Sequence, residues 1–293
     1  MNPDAPSITV LIPCRNCAHT LRRALDSIFS QTQPPQKIIV VDDKSTDDSL
    51  AIIQSYKRKY PSMFLIIYGP GQGAGAARQA GLAGVNTEYV ALLDSDDWYA
   101  PNALEILYKH VHVTGAACGS ISKIYSNGHE RVQQQPADKD CLITHRVIRK
   151  ANYLPMSSVM YRTAILRQVG GFDEKLVRME DLDLHLRVSR ITDYYFTTNV
   201  IAYYTTPDQQ NLREKTFTYA KWEAIVWRKH GFVYWGALLR AFGYFVINTI
   251  LIPINLIRKL AHKKSPIFRD VYARILIGYI IGLMTGYRFQ SKK

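Results

Sequence analysis

Short apolar runs alternate with stretches of helical periodicity along the first third of the chain. The apolar runs predict strands at residues 8–12, 37–41, 64–67 and 89–93. The stretches between them predict helices at residues 20–30, 46–59 and 74–83. Strands that alternate with helices are typical of an α/β fold with a Rossmann-like, mostly parallel sheet and flanking helices.

Each of these predicted strands ends in a polar or glycine-rich segment. The four segments are Pro13-Cys14-Arg15-Asn16, Asp42-Asp43, the glycine loop at residues 69–75, and Asp94-Ser95-Asp96-Asp97. In an open parallel sheet, ligands bind at the carboxyl ends of the strands. We therefore expect the four segments to line one crevice.

The acidic segment after the fourth strand is a candidate metal site. Carboxylates held this close repel one another unless a cation lies between them. Mg²⁺ or Mn²⁺ prefers one or two protein carboxylates together with substrate phosphates, so Asp94 and Asp96 suit a metal-bound diphosphate. The alternative is a solvated turn that caps the next helix.

Two further groups are candidates for binding the same ligand. Asp42 and Asp43 can accept hydrogen bonds from a base N–H or from ribose hydroxyls, and Arg78 can contact a leaving phosphate. The alternatives are a cap for the second helix and an ordinary surface arginine.

The second half of the chain has a weaker pattern, from residue 118 to 145, and then a second ordered block. This block contains an apolar segment at 156–162, a glycine turn at 170–174 and a predicted helix at 180–190. Asp181, in the first turn of that helix, is a candidate general base for an acceptor hydroxyl. The alternative is an acidic first turn that the helix dipole favours.

Taken in order, these segments resemble family 2 glycosyltransferases of the GT-A fold. The resemblance covers roughly residues 7–205, and its motifs are I-P-C-R-N at 12–16, V-V-D-D-K-S-T-D-D at 40–48, G-A-G-A-A-R-Q-A-G at 73–81, L-L-D-S-D-D at 92–97, G-G-F-D-E at 170–174 and M-E-D-L-D-L at 179–184. It implies an inverting enzyme that transfers one sugar from a nucleotide-diphosphate donor.

The resemblance also implies a role for individual residues. Pro13 and Asp43 would hold the nucleotide base, Asp94 would reach the ribose or the metal, Asp96 would ligate the metal, and Asp181 would be the base. The candidate donor-binding set also contains Arg15, Asp42, Arg78 and Ser95. Arg15 stands where an aromatic residue is usual in the family. No Q-x-x-R-W motif follows Asp181, which argues against processive polymer synthesis.

The net charge of +13 lies mainly at the end of the chain. Residues 231–293 contain ten Lys or Arg and one acid, Asp270, which gives +9, whereas residues 1–230 carry +4. The same stretch contains apolar runs at 241–257 and 275–287. Basic residues beside apolar helices are typical of attachment to anionic lipid, so we expect a membrane partner and no nucleic acid.

These patterns predict a catalytic domain at 1–230 and a helical membrane-association tail at 231–293. The donor-binding half is expected at about 1–115 and the acceptor half at about 116–230. Residues 1–7 are polar and lack the apolar run of a signal peptide, so we expect the cytoplasmic face of the inner membrane. The acceptor is expected to be lipid-linked or a saccharide, and the donor a UDP-sugar. A glycine repeat in the tail (Gly278, Gly282, Gly286) could pair two chains.

Cysteine usage adds little to this interpretation. Four cysteines are too few for a disulfide framework, and we interpret the Cys14-x-x-Cys17 spacing as coincidental and the compartment as reducing.

Two other functional classes remain open from the sequence. Residues 71–76 fit a loose G-x-G-x-x-A dinucleotide fingerprint with an acid further on at Asp94, which would suit a nicotinamide-dependent oxidoreductase. That fingerprint usually follows the first strand of its domain, and here it follows the third. The second class is a basic membrane-binding module without enzymatic activity.

Overall fold

The computed structural model of the chain describes residues 6–125, 128–133, 135–150, 152, 154–205 and 212–231. The strands in these ranges are β1 (Ile8–Cys14), β2 (Lys37–Asp42), β3 (Phe64–Tyr68), β4 (Tyr89–Leu92), β5 (Asp97–Tyr99), β6 (Ala116–Ile124), β7 (Glu130–Val132), β8 (Cys141–Ile143), β9 (Val159–Arg162) and β10 (Tyr194–Thr205). The helices are α1 (Ala18–Phe29), α2 (Ser49–Lys59), α3 (Ala74–Ala83), α4 (Ala103–Thr114), α5 (His145–Ile148), α6 (Thr163–Gln168), α7 (Glu180–Val188) and α8 (Leu212–Lys229), with a 3-10 turn at Met156–Ser158.

The strands of the described ranges form one mixed sheet in the order β3-β2-β1-β4-β9-β6-β10-β5, with β7 beside β6 and β8 beside β10. The first four strands are parallel, as the alternating pattern predicts. Beyond β4 the sheet is mixed: β6 and β10 run in the same direction as β1 to β4 and pair in parallel, whereas β9 runs antiparallel to both β4 and β6. Strands β5, β7 and β8 are also antiparallel to their neighbours. No βα alternation marks this half of the sequence.

Helices cover both faces of the parallel strands, which explains why β1 and β2 are apolar along nearly their whole length. Alternate strand residues such as Val10 and Val40 share a core with the apolar face of α1. Helix α3 packs on the opposite face at Gly81, where an added Cβ would lie 2.3 Å from Leu11 Cδ1 and 2.8 Å from Val41 Cγ2. The glycine therefore permits α3 to approach the sheet closely.

Helix α7 confirms the predicted helix at residues 180–190 and ends at Val188. Its strand-like alternation of leucines arises because almost the whole helix is buried, with Leu182, Leu184 and Leu186 at most 1% exposed. A helix that is buried on all sides does not need one polar face.

Cys14 and Cys17 form a disulfide that closes the segment between β1 and α1. The interpretation of their spacing as coincidental is therefore wrong. The two residues lie at the end of a strand and immediately before a helix, and Asn16 between them has the left-handed φ of 52° that the tight turn requires.

The chain divides into two units, Met1–Asp208 and Gln209–Lys293. The predicted boundary after residue 230 lies inside the second unit, whose described part is α8 and the two residues that follow it. The tail predictions for residues 232–293 lie outside the described residues. Within the described ranges, no helix combines the length and apolar character needed to cross a membrane.

Candidate active site

The carboxyl ends of β1, β2, β3 and β4 meet at one edge of the sheet. The register pairs Cys14 with Asp42 and Asp42 with Tyr68, so the polar segments after the first three strands are adjacent. Pro13 is the buried penultimate residue of β1. The strand ends therefore lie side by side, as predicted; that they line a crevice for a ligand stays a prediction.

Asp43 binds the glycine loop that follows β3. Its carboxylate accepts hydrogen bonds from the backbone N–H of Gly71 at 2.6 Å and of Gly73 at 3.0 Å, and the residue is 2% exposed. A dinucleotide fold would offer such glycine N–H groups to a pyrophosphate, but here a carboxylate of the chain occupies them. This contact argues against the nicotinamide alternative.

Asp42, unlike Asp43, has a carboxylate oxygen that makes no hydrogen bond within the described residues. The residue is 4% exposed, and its buried Oδ1 has no hydrogen-bond partner among the residues that the structure describes. A buried carboxylate oxygen without a donor is costly, so this atom has an unused capacity to accept a hydrogen bond.

Two cations lie beside the same loop. Arg15 donates a long hydrogen bond of 3.4 Å to the carbonyl oxygen of Gly71, and the Lys44 side chain approaches the same glycine. Both side chains are exposed, and Lys44 has a left-handed φ of 62°. Positive charge thus flanks the glycine loop on its solvent side.

Arg78 is buried between two acids and lies beneath the site. Its side chain is 4% exposed, and its guanidinium binds the Asp94 carboxylate and forms an ion pair of 2.7 Å with Glu180. Burial acts to lower the pKa of Arg78, but the charges of Asp94 and Glu180 outweigh it and raise the pKa. The sequence predicts a phosphate contact for Arg78; in the structure both Nη atoms bind carboxylates, and the phosphate contact stays a prediction.

The residues of the acidic segment 94–97, which follows β4, differ in burial and in hydrogen bonding. Asp96 is exposed and Ser95 is half-buried, whereas Asp97 is buried and accepts a hydrogen bond from the Ser157 hydroxyl. Ser157 in turn accepts a hydrogen bond of 3.1 Å from the backbone N–H of Asp94. Burial, with the charges of Asp94 and Asp96 as further causes, raises the pKa of Asp97 well above its usual value.

The segment fits a divalent cation only in part. No group of three His, Cys, Asp or Glu side chains is arranged to hold a metal ion within the described ranges. Desolvation and the neighbouring Asp94 charge raise the pKa of Asp96, as expected for carboxylates that face one another without a cation. Asp94 and Asp96 therefore suit Mg²⁺ or Mn²⁺ when ligand phosphates supply the remaining oxygens.

Asp181 lies in the first turn of α7, beside Glu180. Its Oδ2 accepts a hydrogen bond of 2.7 Å from the Asn152 side chain and its Oδ1 one of 2.7 Å from the backbone N–H of Leu182. Burial raises the pKa of the carboxyl, although the Asn152 hydrogen bond opposes the rise. A half-buried carboxylate with a raised pKa is chemically suited to accept a proton.

Sequence reasoning missed three side chains that organise this region: Glu180 as the partner of Arg78, Ser157 and Asn152. Ser157 lies in the apolar segment at 156–162 and Asn152 just before it, and neither belongs to a motif. No signal in the sequence links them to acids that lie 60, 63 and 29 positions away.

Comparison with known proteins identifies the family and the fold. The family model described as Glycosyl transferase family 2 matches residues 9–170. An uncharacterized glycosyltransferase of Rickettsia prowazekii (strain Madrid E) is 26% identical over 211 residues, which cover 68% of this chain and 64% of that protein. The chain thus spans less than two thirds of this relative's length.

Two solved structures share the fold. The mannosyltransferase PcManGT from Pyrobaculum calidifontis, in complex with GDP-Man and Mn²⁺, superposes with a TM-score of 0.66 at 16% identity and covers 96% of this chain and 88% of its own. S. aureus TarS 1–349 in complex with UDP-GlcNAc gives 0.61 at 17% identity, with 96% and 73% covered. At this identity the likeness establishes the fold alone.

Proposed function

The chain belongs to glycosyl transferase family 2, and from this premise we propose that it transfers one sugar from a nucleotide-diphosphate donor to an acceptor hydroxyl with inversion. The observation that carries the proposal is the bridge through Arg78. This residue binds Asp94 at the end of β4 and Glu180 at the start of α7, which brings the candidate base Asp181 close to the candidate metal segment.

In the proposed reaction, the acceptor oxygen attacks the anomeric carbon as Asp181 takes its proton, and the bond to the nucleoside diphosphate breaks. The partly buried surroundings of Asp181 support this role, because they raise the pKa of the carboxyl toward the working range of a base. Attack from the side opposite the leaving group inverts the configuration.

Asp94 and Asp96 would hold the Mg²⁺ or Mn²⁺. When bound, such a cation neutralises the charge that develops on the departing diphosphate. Arg78 keeps one oxygen of Asp94 in a fixed position. Asp96, which is exposed, is free to turn toward a phosphate-bound cation.

For the nucleoside, the proposed contacts are Pro13, Arg15, Asp42, Asp43 and Ser95. The Asp43 carboxylate binds two backbone N–H groups and keeps two further lone-pair sites for a base N–H or a ribose hydroxyl, whereas the unpartnered Oδ1 of Asp42 is buried within the chain. Arg15 can stack its planar guanidinium on a base in place of an aromatic ring. We propose a UDP-sugar donor, which the complex of TarS with UDP-GlcNAc supports and the complex of PcManGT with GDP-Man leaves open.

A screen of UDP-, GDP- and dTDP-sugars by thermal unfolding tests the donor proposal. A true donor should raise the melting temperature in the presence of Mn²⁺ or Mg²⁺, because it binds the folded state alone. The same donors with EDTA are the control. No stabilisation by any nucleotide sugar, with metal present, would contradict the proposal.

We also propose a lipid-linked or saccharide acceptor at the cytoplasmic face of the membrane. The support is the charge of +9 on residues 231–293 and the two apolar runs within them. Truncation after His230 should move the protein from the membrane to the soluble fraction, while the full chain should resist high salt and yield to detergent. A truncated chain that stays with the membrane would contradict this proposal.

A further inference from the structure

Asn152 and Asp181 belong to segments that meet twice. Besides the hydrogen bond between their side chains, the His185 Nε2–H donates a hydrogen bond of 2.8 Å to the carbonyl oxygen of Leu154. Asp181 and His185 are four residues apart on α7, so they lie on the same face of the helix. Asn152 and Leu154 are two residues apart in the loop.

The hydrogen bond between His185 and Leu154 is held in place because the His185 ring is buried and fixed by two tyrosines. His185 is 1% exposed, and its Nδ1 lies 2.9 Å from the Tyr161 hydroxyl on β9 and 3.0 Å from the Tyr194 hydroxyl on β10, which in turn donates a hydrogen bond to Tyr161. Because the Leu154 carbonyl oxygen can only accept a hydrogen bond, the proton of the neutral ring resides on Nε2, and Nδ1 accepts from the Tyr161 hydroxyl. The loop is thereby anchored to the sheet through α7, two residues from Asn152.

From this double contact we propose that Asn152 is a positioning residue that orients the Asp181 carboxylate and stabilises its ionised form for proton abstraction. This inference rests on the proposed function, in which Asp181 is the base. The geometry that supports it is the 2.7 Å hydrogen bond from Asn152 Nδ2 to Asp181 Oδ2, held in place by the His185 anchor.

Several other groups act on the same carboxyl. Burial raises the pKa of Asp181, whereas the Asn152 side chain, the Leu182 backbone N–H and the Arg78 charge lower it, and the Asp94 charge raises it again. Its neighbour Glu180 is neutralised in part by Arg78. Asn152 is exposed and is not a partner of the buried Arg78 ion pairs. Its side chain can therefore be truncated without breaking those ion pairs.

The decisive experiment is a carboxyl NMR titration of the full chain, labelled with ¹³C-aspartate, in detergent. The Asp181 resonance is assigned by its absence from Asp181→Asn. In Asn152→Ala the pKa of Asp181 should rise by about 0.5–1 pH unit, as expected for loss of a hydrogen bond to a charged group. Asn152→Asp should raise it further, because it adds a like charge. Asn102→Ala, which removes an exposed asparagine at the start of α4, should leave it unchanged.

A kinetic readout accompanies the titration. Release of nucleoside diphosphate from the donor selected in the thermal screen, with water as acceptor, should show the acid limb of its pH profile displaced upward in Asn152→Ala. The melting temperature with donor should stay as in the wild type. An unchanged Asp181 pKa in both Asn152 variants would overturn the proposal, as would an equal loss of rate at every pH.

The two proposals fail in different ways. If Asp181→Asn keeps near wild-type turnover, the proposed base is wrong, whatever Asn152 does to the pKa of Asp181. If Asp181→Asn is inactive and the Asn152 variants leave that pKa unchanged, only the positioning role is wrong.

Discussion

Arg78 and Glu180 form a buried ion pair in which Nη1 lies 2.7 Å from Oε1, although the residues are 102 positions apart in the sequence. The pair joins α3, which follows the glycine loop, to α7, which holds the candidate base. Since Nη2 of the same guanidinium binds Asp94, a single side chain connects the proposed donor half of the site to the proposed acceptor half.

Arg78→Ala should lower the free energy of unfolding by about 3–5 kcal/mol, because it leaves Glu180 charged and buried without its partner. Urea unfolding measures the change. The matched control is Glu88→Gln, which removes the exposed pair between Glu88 and Arg162 and should cost less than about 1 kcal/mol. Equal effects of the two variants would mean that the buried pair has no special role in stability.

Asp181→Asn should reduce turnover about 10²- to 10⁴-fold and leave donor binding intact, since the amide preserves shape and cannot accept the proton. Nucleoside diphosphate release and donor-induced thermal stabilisation measure the two properties. Asp138→Asn, an exposed change distant in sequence from the motifs, is the control. Near wild-type turnover would exclude Asp181 as the base.

Asp96→Ala should abolish the part of donor binding that depends on Mn²⁺ or Mg²⁺, because the diphosphate loses a bridge to the protein. Calorimetry with and without EDTA measures this part. Asp48→Ala, which removes an exposed carboxylate before α2, should keep the dependence on metal. If wild-type donor binding is indifferent to EDTA, the assignment of a metal to this segment fails.

His185 should make the fold sensitive to mild acid. Burial lowers its pKa to about 4, below the usual value near 6.5, so the unfolded chain binds a proton that the folded chain does not. Its contribution to stability is complete above pH 6.5 and decreases as the pH falls toward 4, by about 3 kcal/mol in all. Urea unfolding between pH 4 and 6.5 measures this effect. The free energy of unfolding should change less with pH in His185→Gln than in the wild type. The exposed His19→Gln should keep the wild-type dependence.

Reduction of the disulfide should lower stability by about 1–2 kcal/mol, because it frees a short closed loop in the unfolded chain. Thermal unfolding with and without a dithiol reductant measures the effect. The double variant Cys14→Ala and Cys17→Ala should show no response to the reductant, although it keeps Cys118 and Cys141 as thiols. If the reductant lowered the stability of that variant by the same amount, the loss of stability would not come from the Cys14–Cys17 disulfide.

Local patterns in the sequence were enough to predict strands β1 to β4, helix α3 and the edge of the sheet at which the candidate site lies. Helix α3 begins and ends at the predicted residues, and β1 to β4 differ from prediction by two residues or fewer at their ends. These features depend on local periodicity and on the rule that parallel strands end at a common edge, so a short window of sequence contains them.

The candidate site is held together by side-chain contacts that form only in the folded chain. The tertiary structure paired Arg78 with Glu180, linked Asn152 to Asp181, bound Ser157 to Asp97 and joined Cys14 to Cys17. The direction of β5, β7, β8 and β9, which run opposite to the other strands of the described sheet, was likewise decided only in the folded chain. The three hydrogen-bonded contacts join side chains that are far apart in the chain and meet only after the sheet has formed, and a side chain's partner in three dimensions leaves no periodic trace in the sequence.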